Sequence, residues 1–304
     1  MFFTPPPPPQ PINVVVWIHG TNPQKFLPSP FGQLIQKTTS LFFHGKTGLI
    51  KASDLDVQHY PFLLTKTLSY CAPQDFPTEH FYTFGWNGEL NLQGRKNASQ
   101  ELFDALKLLR IDYIEKYNCV PNFILISHSH GGNVILHLAE IEETHRISLS
   151  IKKAILLACP VQKHTKHLIA HPMFERVYSI HSHTDIIQIV DMQGLHIHKK
   201  ISRPLFSERH FDSHPKLVQA CIVWKNGPFW HPDDVLINDH LLKKLTKALK
   251  LLDKIKRQRG LFHVEFNLLP FVRHLPAIIE ELDICIDNGK NCPTSSHHDV
   301  MIYL

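Results

Sequence analysis

The stretch ILISHSHGGNVILHLA, Ile124 to Ala139, decides the fold. Three apolar residues end at Ser127, a serine follows between two histidines, and two glycines then lead into a helical pattern. A strand that turns sharply into a helix lifts the residue at the turn clear of the sheet edge. Such a turn needs small neighbours on either side, because the two backbone segments nearly collide there. Ser127 and Gly131 hold those two positions around Ser129, and Gly132 follows.

The same alternation extends outward from this turn. INVVVWIHG (Ile12 to Gly20) and HFYTFGW (His80 to Trp86) read as strands before it, and Asn97 to Tyr117 as a helix. Ala98, Leu102, Ala105, Leu106, Leu109 and Tyr113 share one face of that helix. Downstream, KKAILLACP, RVYSIHS and LVQACIVW read as strands, and Asp239 to Arg259 as a periodic helix capped by Gly260. Continuous Val, Ile and Leu strands alternating with helices predict an α/β protein. Its sheet would be mostly parallel, with helices on both faces.

Three regions fall outside that alternation. Residues 1–11 carry the Pro5 to Pro9 run and read as an extended tail. Thr21 to Thr78, rich in Pro and Phe (Phe26, Phe31, Phe42, Phe43, Phe62), is expected to be a cap or lid after the first strand. It would offer an apolar acyl pocket or a satellite core. Leu261 to Leu304 reads as a C-terminal extension on a domain spanning 12–260. There LFHVEF and DVMIYL are predicted strands and LPAIIEELD a short helix.

The order of strand, turn and helix resembles the α/β-hydrolase fold, and within it the serine esterases and lipases with a G-x-S-x-G elbow. The motif here is S-H-S-H-G, with Ser127 in place of the first glycine. WIHGTN resembles that family's oxyanion loop. FGWNG with Arg95 and ASQELFDALKLL resembles the strand and helix that precede the elbow. The resemblance runs from about Ile12 to Arg259 and implies a nucleophile, acid and histidine in that order.

On that resemblance Ser129 is the nucleophile, and the backbone N–H groups of Thr21 and His130 form the oxyanion hole. Asp185 follows the strand Val177 to Ser182 as the acid, with Asp191 as the alternative. His231, first in the loop after LVQACIVWKNG, is the expected base, with His240 second; His210 and His214 precede that strand. His128 and His130 flank the turn, project away from its apex and are read as its lining. The implied activity is hydrolysis of carboxylic esters, of lipid or acyl type, through an acyl-enzyme and without a cofactor.

Composition bounds the other readings. A formal charge of +5 over 304 residues does not point to nucleic acid. Six cysteines without a CxxC pair suit a reducing compartment, and no secretory signal or membrane-length apolar run is visible, so a cytoplasmic protein is expected. The 23 histidines include close pairs at His128/His130, His181/His183 and His196/His198. No HExxH or Cys-His ligand set accompanies them, so no catalytic metal is expected. The lysines around LLKKLTKALKLLDKIKRQR could meet an anionic membrane surface. The alternatives to an enzyme are a non-catalytic α/β-hydrolase-like binding protein and a peripheral membrane or partner-binding module.

Overall fold

The computed structural model describes residues 11–21, 47–185, 187–188, 209–225, 259–287 and 299–304. Asn13–Ile18 (β1) and Asn122–His128 (β4) lie side by side and parallel, with Val15 opposite Ile124 and Ile18 opposite Ser127. Phe81–Gly85 (β3) flanks β1, and Ile151–Leu157 (β5), Val177–His181 (β6) and Leu217–Trp224 (β7) continue in parallel beyond β4. Gly48–Lys51 (β2) closes one edge antiparallel to β3. At the other side Arg259–Gly260 (β8) pairs antiparallel with β7, and Val300–Tyr303 (β9) pairs parallel with it.

Side chains alternate between the two faces of these strands, so each β-branched run feeds two cores. Val14, Val16, Ile18, Phe123, Leu125 and Leu156 pack under Leu92–Tyr117 (α2) and Gly131–His145 (α3). Val15, Trp17, Ile124, Ile126, Ile155 and Leu157 pack under Tyr60–Cys71 (α1) and Leu269–Asp287 (α4). α4 is also clamped through Asp283, whose carboxylate takes Lys153 Nζ and Arg176 NH1 at 2.6 Å each and the hydroxyl of Tyr178.

The layering is as expected: a mostly parallel sheet covered by helices on both faces. Strand order β2-β3-β1-β4-β5-β6-β7-β8 reverses direction between β1 and β4. In open α/β sheets ligands bind beyond the carboxyl ends of the strands at such a reversal, and Ser129 follows β4 there.

Some elements differ from expectation. Residues 47–78 supply an edge strand and a core helix, with Leu64 and Leu68 buried and the Tyr60 hydroxyl donating to Asn267 O at 2.7 Å, so this part of the expected cap is framework. Residues 22–46, with Phe26, Phe31, Phe42 and Phe43, lie outside the described residues, as does most of the expected helix at 239–259. LFHVEF is not a strand. His263–Asn267 form a 3-10 turn, because the Glu265 carboxylate folds back to accept from Phe262 N at 2.7 Å. DVMIYL does form a strand, and with β8 and α4 it weaves the expected extension into the fold. Among the described residues no helix is long and apolar enough to cross a membrane.

Candidate active site

The turn at Ser129 is held from three sides. Its φ is +53°, a left-handed conformation that costs a non-glycine residue about 1–2 kcal/mol. Ser129 N donates to Leu157 O at 2.8 Å, and Gly132 N donates to Ser129 O at 3.0 Å. Ser127, fully buried, donates weakly through its hydroxyl to Ile155 O at 3.4 Å. A side chain as small as serine's therefore fits where the family motif has glycine.

Gly131 has no such latitude. A Cβ there would stand 2.6 Å from His19 O and 2.9 Å from Ile18 O, both backbone atoms of the neighbouring strand and loop. Gly131→Ala is expected to lower unfolding stability by about 1–3 kcal/mol, read as a reduced midpoint in denaturant. An unchanged midpoint would show that α3 can move off β1 freely.

The loop after β1 packs tightly against Ser129. A Cβ on Gly20 would lie 2.8 Å from Ser129 Cβ. His19 fixes this loop: its Nε2 accepts from Trp86 N at 3.0 Å, so the proton sits on Nδ1, which donates to Gly20 O at 2.6 Å. Trp86 Nε1 returns a bond to His19 O at 2.9 Å, and the two rings stack. Thr21, next in line, is half-buried, and its hydroxyl has no partner among the described residues. His130 begins α3 at its N-cap, where helix N–H groups point outward unpaired. Its ring is buried and neutral. Burial, foremost, and the charge of Arg95 push it well below the ordinary histidine range.

Asp185 lies beyond β6 and is buried. Its Oδ1 accepts from Gln188 N at 3.0 Å, and Arg209 holds the backbone by donating to Asp185 O at 2.8 Å. Its Oδ2 accepts from His263 Nδ1 at 2.8 Å. That bond places the His263 proton on Nδ1 and leaves Nε2 with a free lone pair. The imidazole lies against the elbow: its centroid is 4.6 Å from that of His128, and His128 Nε2 donates to His263 O at 2.8 Å. Burial, then the neighbouring His263, pushes His128 well below the ordinary range, so it serves as a neutral donor.

The segment carrying His263 is laced to the loop that carries Asp185. Thr184 Oγ1 donates to Leu261 O at 2.9 Å, and a Cβ on Gly260 would fall 2.1 Å from Ser182 Oγ. Asp185, His263 and the Ser129 elbow thus converge at one end of the sheet, with Gly20 beside them. Ser129 Oγ itself makes no hydrogen bond to a described side chain; in ligand-free sites this contact commonly closes only around substrate.

His231, His240 and Asp191 lie outside the described residues, and the imidazole on Asp185 belongs to His263. Sequence reasoning took the first histidine after β7. The histidine bonded to Asp185 instead follows β8, in the Gly-Leu-Phe-His sequence that ends at His263. His210 and His214 precede β7 in the chain, and His210 bonds to Asp299 rather than to Asp185.

Comparison with solved structures finds an esterase of Pyrobaculum calidifontis at 14% identity and a TM-score of 0.40, over 93% of this chain and 79% of that one. An arylesterase aligns at 12% identity and a TM-score of 0.40, over 91% of this chain and 77% of the other. Est1E from Butyrivibrio proteoclasticus aligns at 15% identity and a TM-score of 0.29, over 81% and 90%. No protein-family model and no curated protein matches the sequence.

Proposed function

We propose that the protein is a serine hydrolase of carboxylic esters, with Ser129 as nucleophile, His263 as general base and Asp185 as the carboxylate that orients it. One observation carries this reading: a buried carboxylate–imidazole pair, His263 Nδ1 to Asp185 Oδ2 at 2.8 Å, stands beside a serine held at positive φ. Strain of this kind persists only where the surroundings enforce it.

In the reaction, Ser129 Oγ bonds to the ester carbonyl carbon while its proton passes to His263 Nε2. Asp185 stabilises the imidazolium and keeps the ring in its Nδ1–H tautomer. The oxyanion forms between the N–H groups of Thr21 and His130, each donor contributing about 3 kcal/mol to the barrier's reduction. The intermediate expels the alcohol, which takes the proton from Nε2. Water then attacks the acyl-enzyme by the same steps and releases the acid. His128, through its bond to His263 O, is a positioning residue for the base. The substrate class put forward is the one the sequence suggested, lipid or acyl esters.

A fluorophosphonate probe tests the assignment. Wild-type protein is expected to be labelled at Ser129, and Ser129→Ala to lose all labelling while keeping its melting temperature. Equal labelling of that variant would overturn the assignment. Absence of labelling and of turnover in well-folded wild type would instead favour a binding protein on a hydrolase scaffold.

A further inference from the structure

A second cluster of reactive side chains lies where β6, β7 and β9 meet. His181 ends β6, His210 precedes β7, and Asp299 immediately precedes β9. Three remote segments therefore bring two imidazoles and a carboxylate to one point. His181 Nε2 is 3.1 Å and His210 Nε2 3.0 Å from the same oxygen, Asp299 Oδ2. The three ligand atoms lie within 4.8 Å of one another. His181 is fully buried and Asp299 nearly so, while the His210 side chain is 27% exposed and leaves a way in from solvent.

We propose that His181, His210 and Asp299 form a binding site for a divalent transition-metal cation, with zinc the best match. Two imidazole nitrogens and a carboxylate oxygen are a borderline donor set that suits zinc and cobalt over calcium or magnesium. Zinc takes such ligands at about 2.0–2.2 Å. His181 is fixed in the sheet, so the closing movement falls to the more exposed His210. His183, exposed and edge-on to the His181 ring at 6.1 Å, can supply a fourth ligand, as can water.

The same geometry bounds the affinity. Without a cation, both Nε2–H groups donate to Asp299; with one, each imidazole proton moves to Nδ1. His181 Nδ1 has no hydrogen-bond partner among the described residues. A ligating histidine whose other nitrogen lacks an acceptor typically loses about 10–100-fold in metal affinity. The site should therefore bind reversibly rather than as a permanent structural zinc. Binding would tie β9 to β6 and to the segment before β7, raising stability by mass action.

The test uses untagged full-length protein stripped with chelator, titrated separately with Zn²⁺ and Co²⁺. Wild type is expected to bind both ions reversibly, to melt at higher temperature with Zn²⁺, and to give the visible absorption of low-coordinate Co²⁺. His210→Gln, at the most exposed ligand, and Asp299→Asn should each weaken binding by about tenfold or more and lose the Zn²⁺-dependent rise in melting temperature. His167→Gln, at an exposed histidine elsewhere, should behave as wild type. Equal binding and equal stabilisation in His210→Gln and wild type would overturn the proposal. So would a wild type that Zn²⁺ leaves unstabilised, the three groups then being only an ion-paired clasp on β9. None of these readouts depends on ester hydrolysis.

Discussion

Replacing His263 with alanine should lower kcat for a short-chain chromogenic ester by about 10⁴–10⁶-fold, while His231→Ala stays within a few-fold of wild type. The expectation follows from the hydrogen bond that His263 Nδ1 gives Asp185, which leaves Nε2 free to take the serine proton. Asp185→Asn should cost about 10⁴-fold, because an amide can donate to Nδ1 and so favours the wrong tautomer. The two losses should not add in the double variant, since carboxylate and imidazole act as one unit. A large loss in His231→Ala with near-normal His263→Ala would move the base back to the loop after β7. A milder third substitution separates position from chemistry. His128→Phe removes the donor to His263 O but no reacting atom, so it should lower kcat with little change in KM.

How much of this could be read from the sequence depends on what each feature rests on. Ser129 and its strands were legible because local physics dictates them: a Val/Ile/Leu run has few destinations other than a buried strand, and a tight strand-to-helix turn demands small residues. Gly131 shows how strict that demand is, with backbone oxygens where its side chain would stand. Asp185 was legible as the first acidic residue beyond its strand. The pairing of His263 with it was not, because that depends on a short antiparallel return, β8, that is two residues long and carries no periodic signal.

LFHVEF misled for a related reason. Its alternation suits a strand, but the Glu265 carboxylate capping Phe262 N makes a turn locally cheaper. Helix α2 begins at Leu92, ahead of the expected Asn97. Asn91 caps it by accepting from Gly94 N at 2.6 Å, and Arg95 is buried within its first turns, a position hydrophobic periodicity does not register. The cluster around Asp299 was split in the sequence between an HSH pair, a histidine preceding β7, and the tail. Only the sheet order β6-β7-β9 joins them.

Acidification should unfold the protein steeply below about pH 6.5, the ordinary histidine value, and buried histidines are the reason. His128, His130 and His137 are each buried and held in the neutral form. His137 is pushed down to about 4 by burial, against the pull of Glu140 and with the further push of Arg95 and Lys96. In the unfolded chain these imidazoles take up protons as pH falls through the ordinary value, while in the folded protein they do not. The unfolded state then binds more protons, so stability is present above that value and is lost on acidification. Each such histidine contributes a slope of about 1.4 kcal/mol per pH unit, and three together give about 4 kcal/mol per unit between roughly pH 6 and 5. His137 is the place to measure it. It lies on α3 with Nδ1 3.1 Å from Glu140 and its ring stacked on His164, and it takes no part in the proposed chemistry. His137→Gln cannot gain that proton, so denaturant unfolding at pH 7 and at pH 5 should show a stability difference about 2 kcal/mol smaller than in wild type. An identical difference in the two proteins would mean that His137 is already protonated in the fold, with Glu140 outweighing burial.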